Sequence, residues 1–165
     1  MPSNRERALD AAIDILATEG IRALTHRHVD DSAGLPEGST SNAFRTRAAL
    51  LLGIAEKMVE DELRMLAEPP IAASPEQLAE SLVALFGRLT GPLRTQTSAR
   101  LALLVEAAHD EAIRAILSNA RSRAVQPIRS AFVAVGAADP DLAGDAPVPF
   151  YRYVRGRFLR TEIDA

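Results

Sequence analysis

The chain has 165 residues, of which 47% are hydrophobic and 25% charged, and its formal net charge is −3 at pH 7. This composition is typical of a globular protein with an apolar core, and the acidic balance counts against a nucleic-acid binder that relies on overall positive charge. The absence of cysteine excludes disulfides, cysteine-ligated zinc and thiol catalysis.

Three helices are predicted at the start of the chain. Apolar residues recur at helical spacing over residues 4–19, and Gly20 is a suitable end for this first helix. Thr25 is a good N-cap for a second, short helix that runs to Ser32. Pro36 fits the first position of a third short helix.

Longer helices are predicted further along. Thr46 caps a fourth helix, which Pro69-Pro70 stops, and Ser74 caps a fifth helix that continues to Gly91.

Two more helices follow, over residues 95–108 and from Asp110 to about residue 135, the second with a kink or break at Pro127. Asp139-Pro140 looks like a new start. No strand pattern is visible, so the predicted fold class is all-α.

The short second and third helices, joined by a tight turn at Ala33-Gly34-Leu35, have the lengths of a helix-turn-helix. In this motif the second helix enters the major groove of DNA, where small polar side chains bond phosphates or base edges. The third helix supplies such side chains at Ser39, Thr40, Ser41 and Asn42. Candidates for phosphate contacts surround the motif: His26, Arg27, His28, Arg45 and Arg47.

The segment ALTHRHVDDSAGLPEGSTSNAFRTRAALL, preceded by ALDAAIDILATEG, resembles the N-terminal domain of TetR-type transcriptional regulators. The resemblance extends from about Arg5 to Leu52 and includes Gly38, Phe44 and a basic residue ahead of a leucine pair. It implies an all-α homodimer that binds a palindromic double-stranded DNA operator. It also implies a C-terminal domain that senses a small molecule and releases the DNA when occupied.

The resemblance also implies roles for individual residues. Thr25 caps the first helix of the motif and touches phosphate, Arg27 reaches the operator, and Arg47 holds phosphate at the start of the fourth helix. The recognition helix runs from Pro36 to Asn42. The complete set of candidate DNA contacts is Thr25, His26, Arg27, Pro36, Glu37, Ser39, Thr40, Ser41, Asn42, Arg45 and Arg47.

Several positions depart from the family pattern. Thr40 and Ser41 stand where the family often has a leucine and an aromatic residue. A phosphate-binding tyrosine is missing, and Ala43 offers no polar group. Asp30 stands where a small apolar residue is common, and an exposed carboxylate there is expected to repel phosphate.

We expect residues 1–48 to form the DNA-binding domain and residues 49–165 a helical regulatory and dimerisation domain. The segment after Asp139 is broken by prolines and short for the family, which predicts a truncated or irregular end. A largely apolar effector is expected, because obvious buried charges are missing and apolar walls suit such a ligand. The candidate lining is Met65, Leu82, Phe86, Leu89, Leu103 and Leu104.

The predicted function is therefore a ligand-responsive transcriptional regulator, most simply a repressor, in the cytoplasm. No catalytic constellation, cofactor motif or metal-ligand spacing is visible, and the start of the chain lacks a signal peptide and a membrane span. The alternative is a helical interaction module that no longer reads an operator, which the missing aromatic residue and the acidic balance motivate.

Overall fold

The computed structural model describes residues 2–65 and 74–136. Every regular element in these ranges is an α-helix, which confirms the predicted fold class. The helices are α1 (Asn4–Thr18), α2 (His26–Ala33), α3 (Ser39–Ala43), α4 (Arg47–Met65), α5 (Pro75–Thr90), α6 (Arg94–Glu106) and α7 (Glu111–Ala134). The predicted stop at Pro69-Pro70 and the predicted start at Asp139-Pro140 lie outside the described residues.

Local capping sets where several helices begin. The Thr25 hydroxyl accepts a hydrogen bond from the His28 N–H at 3.2 Å, and the Thr46 hydroxyl accepts one from the Ala49 N–H at 3.1 Å. Each bond satisfies a backbone donor that has no partner within its own helix. The two caps predicted for α2 and α4 are therefore confirmed.

One predicted helix start is wrong, and of the two alternatives predicted at Pro127, a kink or a break, the break does not occur. The recognition helix α3 begins at Ser39 rather than Pro36, because Gly38 has a φ of 88° and a right-handed helix cannot include that conformation. Pro127 does not break α7, which continues from Glu111 to Ala134. A proline removes one helical hydrogen bond, but buried residues on both sides of it hold the two halves of α7 in place: Ile113, Leu117, Ala120 and Ala131.

One apolar cluster joins α1 to the helices of the second half. Leu9 and Leu16 of α1 are fully buried in the same cluster as Leu103 of α6 and Ile113 of α7. Burying a side chain of this size contributes about 1.5–3 kcal/mol relative to exposure. The first helix of the DNA-binding unit is thus held by helices of the second half, while the division of the chain at residue 48 stays a prediction.

Two ion pairs connect α4 to its neighbours. The Lys57 ammonium lies 3.2 Å from the Asp10 carboxylate of α1, and Arg100 of α6 pairs with Glu62 of α4. Burial alone lowers the pKa of Lys57, but hydrogen bonds to Asp61 and Asp10 outweigh it and raise the pKa. Partly exposed pairs stabilise a fold little, so their main effect is to fix the orientation of α4.

No helix within residues 2–65 and 74–136 combines the length and the apolarity needed to cross a membrane. Over the same residues, no three side chains from His, Asp or Glu come together in a way that would hold a metal ion.

Candidate nucleic-acid interface

The turn between α2 and α3 begins at Gly34, which adopts a φ of 59° in the left-handed region that glycine reaches without steric cost. Arg7 of α1 holds this turn, because its Nη2 donates to the carbonyl oxygens of Ala33 at 2.7 Å and Gly34 at 3.1 Å. These bonds satisfy carbonyls that the end of α2 leaves without helical partners. The turn is therefore fixed to α1 as well as to its own helices.

A buried carboxylate on α2 orients the start of α3. Asp30 is only 2% exposed, and it accepts hydrogen bonds from the Gly38 N–H (2.8 Å), the Thr40 N–H (2.8 Å) and the Thr40 hydroxyl (2.5 Å). Gly38 precedes α3 and has no side chain to cap it, so Asp30 supplies the cap from the neighbouring helix. Burial by itself raises the pKa of Asp30, but these hydrogen bonds to the charged form outweigh it and lower the pKa.

This network accounts for two departures from the family pattern at once. Asp30 stands where a small apolar residue is common and Thr40 where a leucine is common, and the two side chains bond to each other. Asp30 does not face phosphate, because it is buried. Thr40 is 0% exposed and its hydroxyl is donated to Asp30, so its predicted DNA contact is corrected to an internal role.

The lowered pKa of Asp30 predicts a loss of stability in acid. Because the folded pKa lies below the ordinary value of 3.8, the contribution of the charged form is fully present above the unfolded pKa and is lost as the pH falls through the folded pKa. We expect the difference in free energy of unfolding between the wild type and Asp30→Asn to be constant above about pH 5 and to shrink below about pH 4. Urea titrations across this pH range measure the difference in free energy of unfolding. A difference that stays constant down to about pH 3 would contradict a role for the charge.

Most of the other predicted contacts lie on the outward side of the motif. Those that are exposed are Thr25, Arg27, Pro36, Glu37, Ser41, Asn42, Arg45 and Arg47, while His26 and Ser39 are half-buried. The Arg47 Nη2 donates to the Ile21 carbonyl oxygen at 2.6 Å, which fixes the start of α4 against the loop after α1. Two constraints therefore orient the interface: Asp30 caps α3 from inside, and Arg47 bonds the beginning of α4 to the loop after α1.

Phe44 anchors the other end of α3. It is 4% exposed, and the Arg5 guanidinium lies 5.0 Å from the centre of its ring. A Cβ atom added at Gly53 of α4 would lie 2.6 Å from Phe44 Cε1 and 3.4 Å from a Leu9 methyl group. Gly53 therefore provides the space that the ring fills. The only sequence signal for this residue is an isolated glycine inside a helical pattern.

The predicted effector-binding residues differ in burial. Leu103 is fully buried in the main core, whereas its neighbour Leu104 is 40% exposed. Adjacent residues point about 100° apart on an α-helix, so these two side chains lie in different surroundings. Leu82 and Leu89 are half-buried on α5. The remaining two side chains lie outside the described residues: Met65 and Phe86.

A groove of about 480 Å³ lies between α4 and α7. It combines an apolar floor with charged and amide groups at its sides, and none of the predicted residues whose side chains the structure describes contributes to it. The lining residues are Glu56, Val59, Glu60, Leu63, Ala115, Ile116, Asn119 and Arg123. This groove is not identified from the sequence, because the lining residues of the two helices lie more than fifty positions apart along the chain.

Comparison with known proteins agrees with this architecture. The family model for the tetracyclin repressor-like C-terminal domain matches residues 73–159. An uncharacterized HTH-type transcriptional regulator of Xanthobacter autotrophicus is 36% identical over 87 residues, which are 52% of this chain and 43% of that protein. The matched segment thus spans less than half the length of this relative.

Two solved structures have the same fold over nearly the whole chain. A TetR-family member from Streptomyces coelicolor A3 superposes with a TM-score of 0.71 at 27% identity, covering 98% of this chain and 90% of that one. The multidrug binding protein EbrR, in its complex with imidazole, superposes with a TM-score of 0.70 at 26% identity, covering 98% and 87%. With a matching C-terminal domain and a capped helix-turn-helix, the chain belongs to the TetR family of transcriptional regulators.

Proposed function

We propose that this protein is a DNA-binding transcriptional regulator that responds to a small molecule, most simply a repressor that its effector releases from a palindromic operator. The observation that carries the proposal is the orientation of α3, which Asp30 caps from inside so that a row of small polar side chains lies outside. Three exposed arginines flank that row and suit phosphate contacts: Arg27, Arg45 and Arg47.

The regulator is proposed to act as a homodimer. Two recognition helices about 34 Å apart match successive major grooves on one side of B-DNA, and a two-fold dimer then reads a palindrome. An effector that favours a different spacing shifts the population away from the DNA-binding form. Membership in the TetR family supports this arrangement.

The effector is proposed to be a small, largely apolar organic molecule that binds between α4 and α7. EbrR has been crystallised with imidazole, ethidium and proflavin, and the floor of the groove in this chain is apolar. A ligand here would bear on α4, which pairs through Lys57 with Asp10 of α1. Movement of α4 would therefore reach the helix that holds the turn of the DNA-binding motif.

Selection from random duplex DNA at moderate salt tests the proposal, and Arg47→Glu provides the critical variant. We expect the wild type to enrich a palindrome with two matching half-sites. Arg47→Glu should lower affinity for that site by about tenfold or more, because an exposed phosphate partner becomes a repelling carboxylate. The matched control is Arg88→Glu on α5, an exposed arginine outside the motif, which should leave affinity within about twofold.

If the folded, dimeric wild type enriches no DNA sequence, the result would contradict the proposal and support the interaction module instead. Equal loss of affinity in the two charge reversals would show that overall charge, rather than a contact at α4, controls binding. The interaction module is not favoured, because the relatives named above are transcriptional regulators. Thermal unfolding of both variants checks that loss of the Arg47–Ile21 bond has not unfolded the motif.

A further inference from the structure

The hydroxyl protons of Ser41, which is exposed, and of Ser39, which is half-buried, already form hydrogen bonds within the motif. Ser39 Oγ donates to the Pro36 carbonyl oxygen at 2.6 Å, and Ser41 Oγ donates to the Gly38 carbonyl oxygen at 3.0 Å. A carbonyl oxygen can only accept, so each hydroxyl must be the donor in its bond. Only lone pairs remain on these two oxygens for a partner outside the protein.

Glu37 extends this set of acceptors. Its side chain is exposed, and it has no hydrogen-bond or ion-pair partner among residues 2–65 and 74–136. An ionised carboxylate only accepts hydrogen bonds. The segment from Glu37 to Ser41 therefore presents acceptors at three positions, and the arginines lie beside this segment rather than in it.

Phosphate is a poor partner for such a surface, because phosphate oxygens also only accept and because Glu37 carries the same charge sign. Among base edges in the major groove, the donors are the N6 amino group of adenine and the N4 amino group of cytosine, whereas guanine and thymine present carbonyl acceptors there. The Asp30 cap prevents α3 from turning a different face outward.

Ser39 is half-buried and points about 200° around α3 from Ser41, so the exposed acceptors are those of Glu37 and Ser41. We propose that Glu37 and Ser41 read exocyclic amino groups in each operator half-site. Every base pair carries one such group in the major groove, on its cytosine or its adenine. The side chains would therefore select the orientation of the base pair, so that the strand facing them carries cytosine rather than guanine, or adenine rather than thymine. This inference rests on the proposed function, and it assigns to these residues the selection of bases rather than the binding of the DNA backbone.

The test measures binding of the selected duplex, and of duplexes in which each half-site pair is inverted in turn, by fluorescence anisotropy. For the wild type, inversion of a pair that faces Glu37 or Ser41 should weaken binding about tenfold. Ser41→Ala and Glu37→Gln should each bring the affinities for the two orientations within about twofold of each other at one position of each half-site. Ser41→Ala removes the acceptor, and Glu37→Gln adds a donor beside it. Ser118→Ala, at an exposed serine on α7, is the matched control and should keep every preference.

The outcomes separate this inference from the function on which it rests. If the wild type selects a palindrome but the positions that respond to Ser41→Ala or Glu37→Gln carry guanine or thymine on the facing strand, the inference is overturned and the regulator remains. The same holds if neither substitution changes any preference while both variants remain folded by thermal unfolding. If folded wild type selects no sequence at all, the proposed function itself fails.

Discussion

Replacement of Asp30 with alanine should lower the free energy of unfolding by about 2–4 kcal/mol, because buried donors lose their acceptor. The Gly38 N–H, the Thr40 N–H and the Thr40 hydroxyl all bond this one carboxylate. Affinity for the operator should fall as well, since α3 loses the cap that orients it. Urea unfolding followed by circular dichroism measures the first effect. Asp31→Ala is the matched control, because Asp31 is an exposed neighbour on the same helix.

The double variant Asp30→Ala/Thr40→Leu makes the expectation sharper. It places at these two positions the small apolar residue and the leucine that the family commonly has there. Replacing both partners of a buried polar contact by apolar groups can be nearly neutral, whereas removing one leaves the other unsatisfied. The double variant should therefore recover the part of the loss that comes from the Thr40 hydroxyl, while the N–H groups of residues 38 and 40 still lack their acceptor. If the stability lost in the double variant equals the sum of the losses in the two single variants, the coupling is refuted.

Gly53→Ala should destabilise the protein although alanine is the better helix former. The new Cβ would lie 2.6 Å from the ring of Phe44, which is buried and cannot move aside freely. Overpacking of this kind costs about 1–3 kcal/mol, which outweighs the gain of about 1 kcal/mol in helix propensity. Chemical denaturation gives the difference, and DNA affinity should fall because Phe44 anchors the end of α3.

Gly87→Ala is the control for this substitution. Gly87 also lies inside a helix, and a Cβ atom there would meet nothing within 4 Å. It should stabilise the protein by up to about 1 kcal/mol. If both substitutions stabilise the protein, helix propensity rather than the contact with Phe44 controls the outcome at Gly53. Gly53→Ala combined with Phe44→Leu should lose less than the sum of the two single changes.

The sequence by itself determined the local features of this protein. Apolar spacing identified the helices, and Thr25 and Thr46 identified where two of them begin, because capping involves residues only three positions apart. The same reasoning misplaced the start of α3. The left-handed backbone of Gly38 is one of several that glycine can adopt, and the sequence does not choose among them.

Only the tertiary structure decided which polar side chains face outward. In the sequence, Asp30 and Thr40 are two separate departures from a family pattern, ten positions apart: Thr40 is predicted to contact DNA, and Asp30 is expected to repel phosphate if exposed. Their contact requires α2 and α3 to pack together; Arg7 bonds the turn between these helices, and Phe44 at the end of α3 fills the space at Gly53. Burial turns a carboxylate that would repel DNA into the cap of the recognition helix, since a buried charge is stable only where hydrogen bonds surround it.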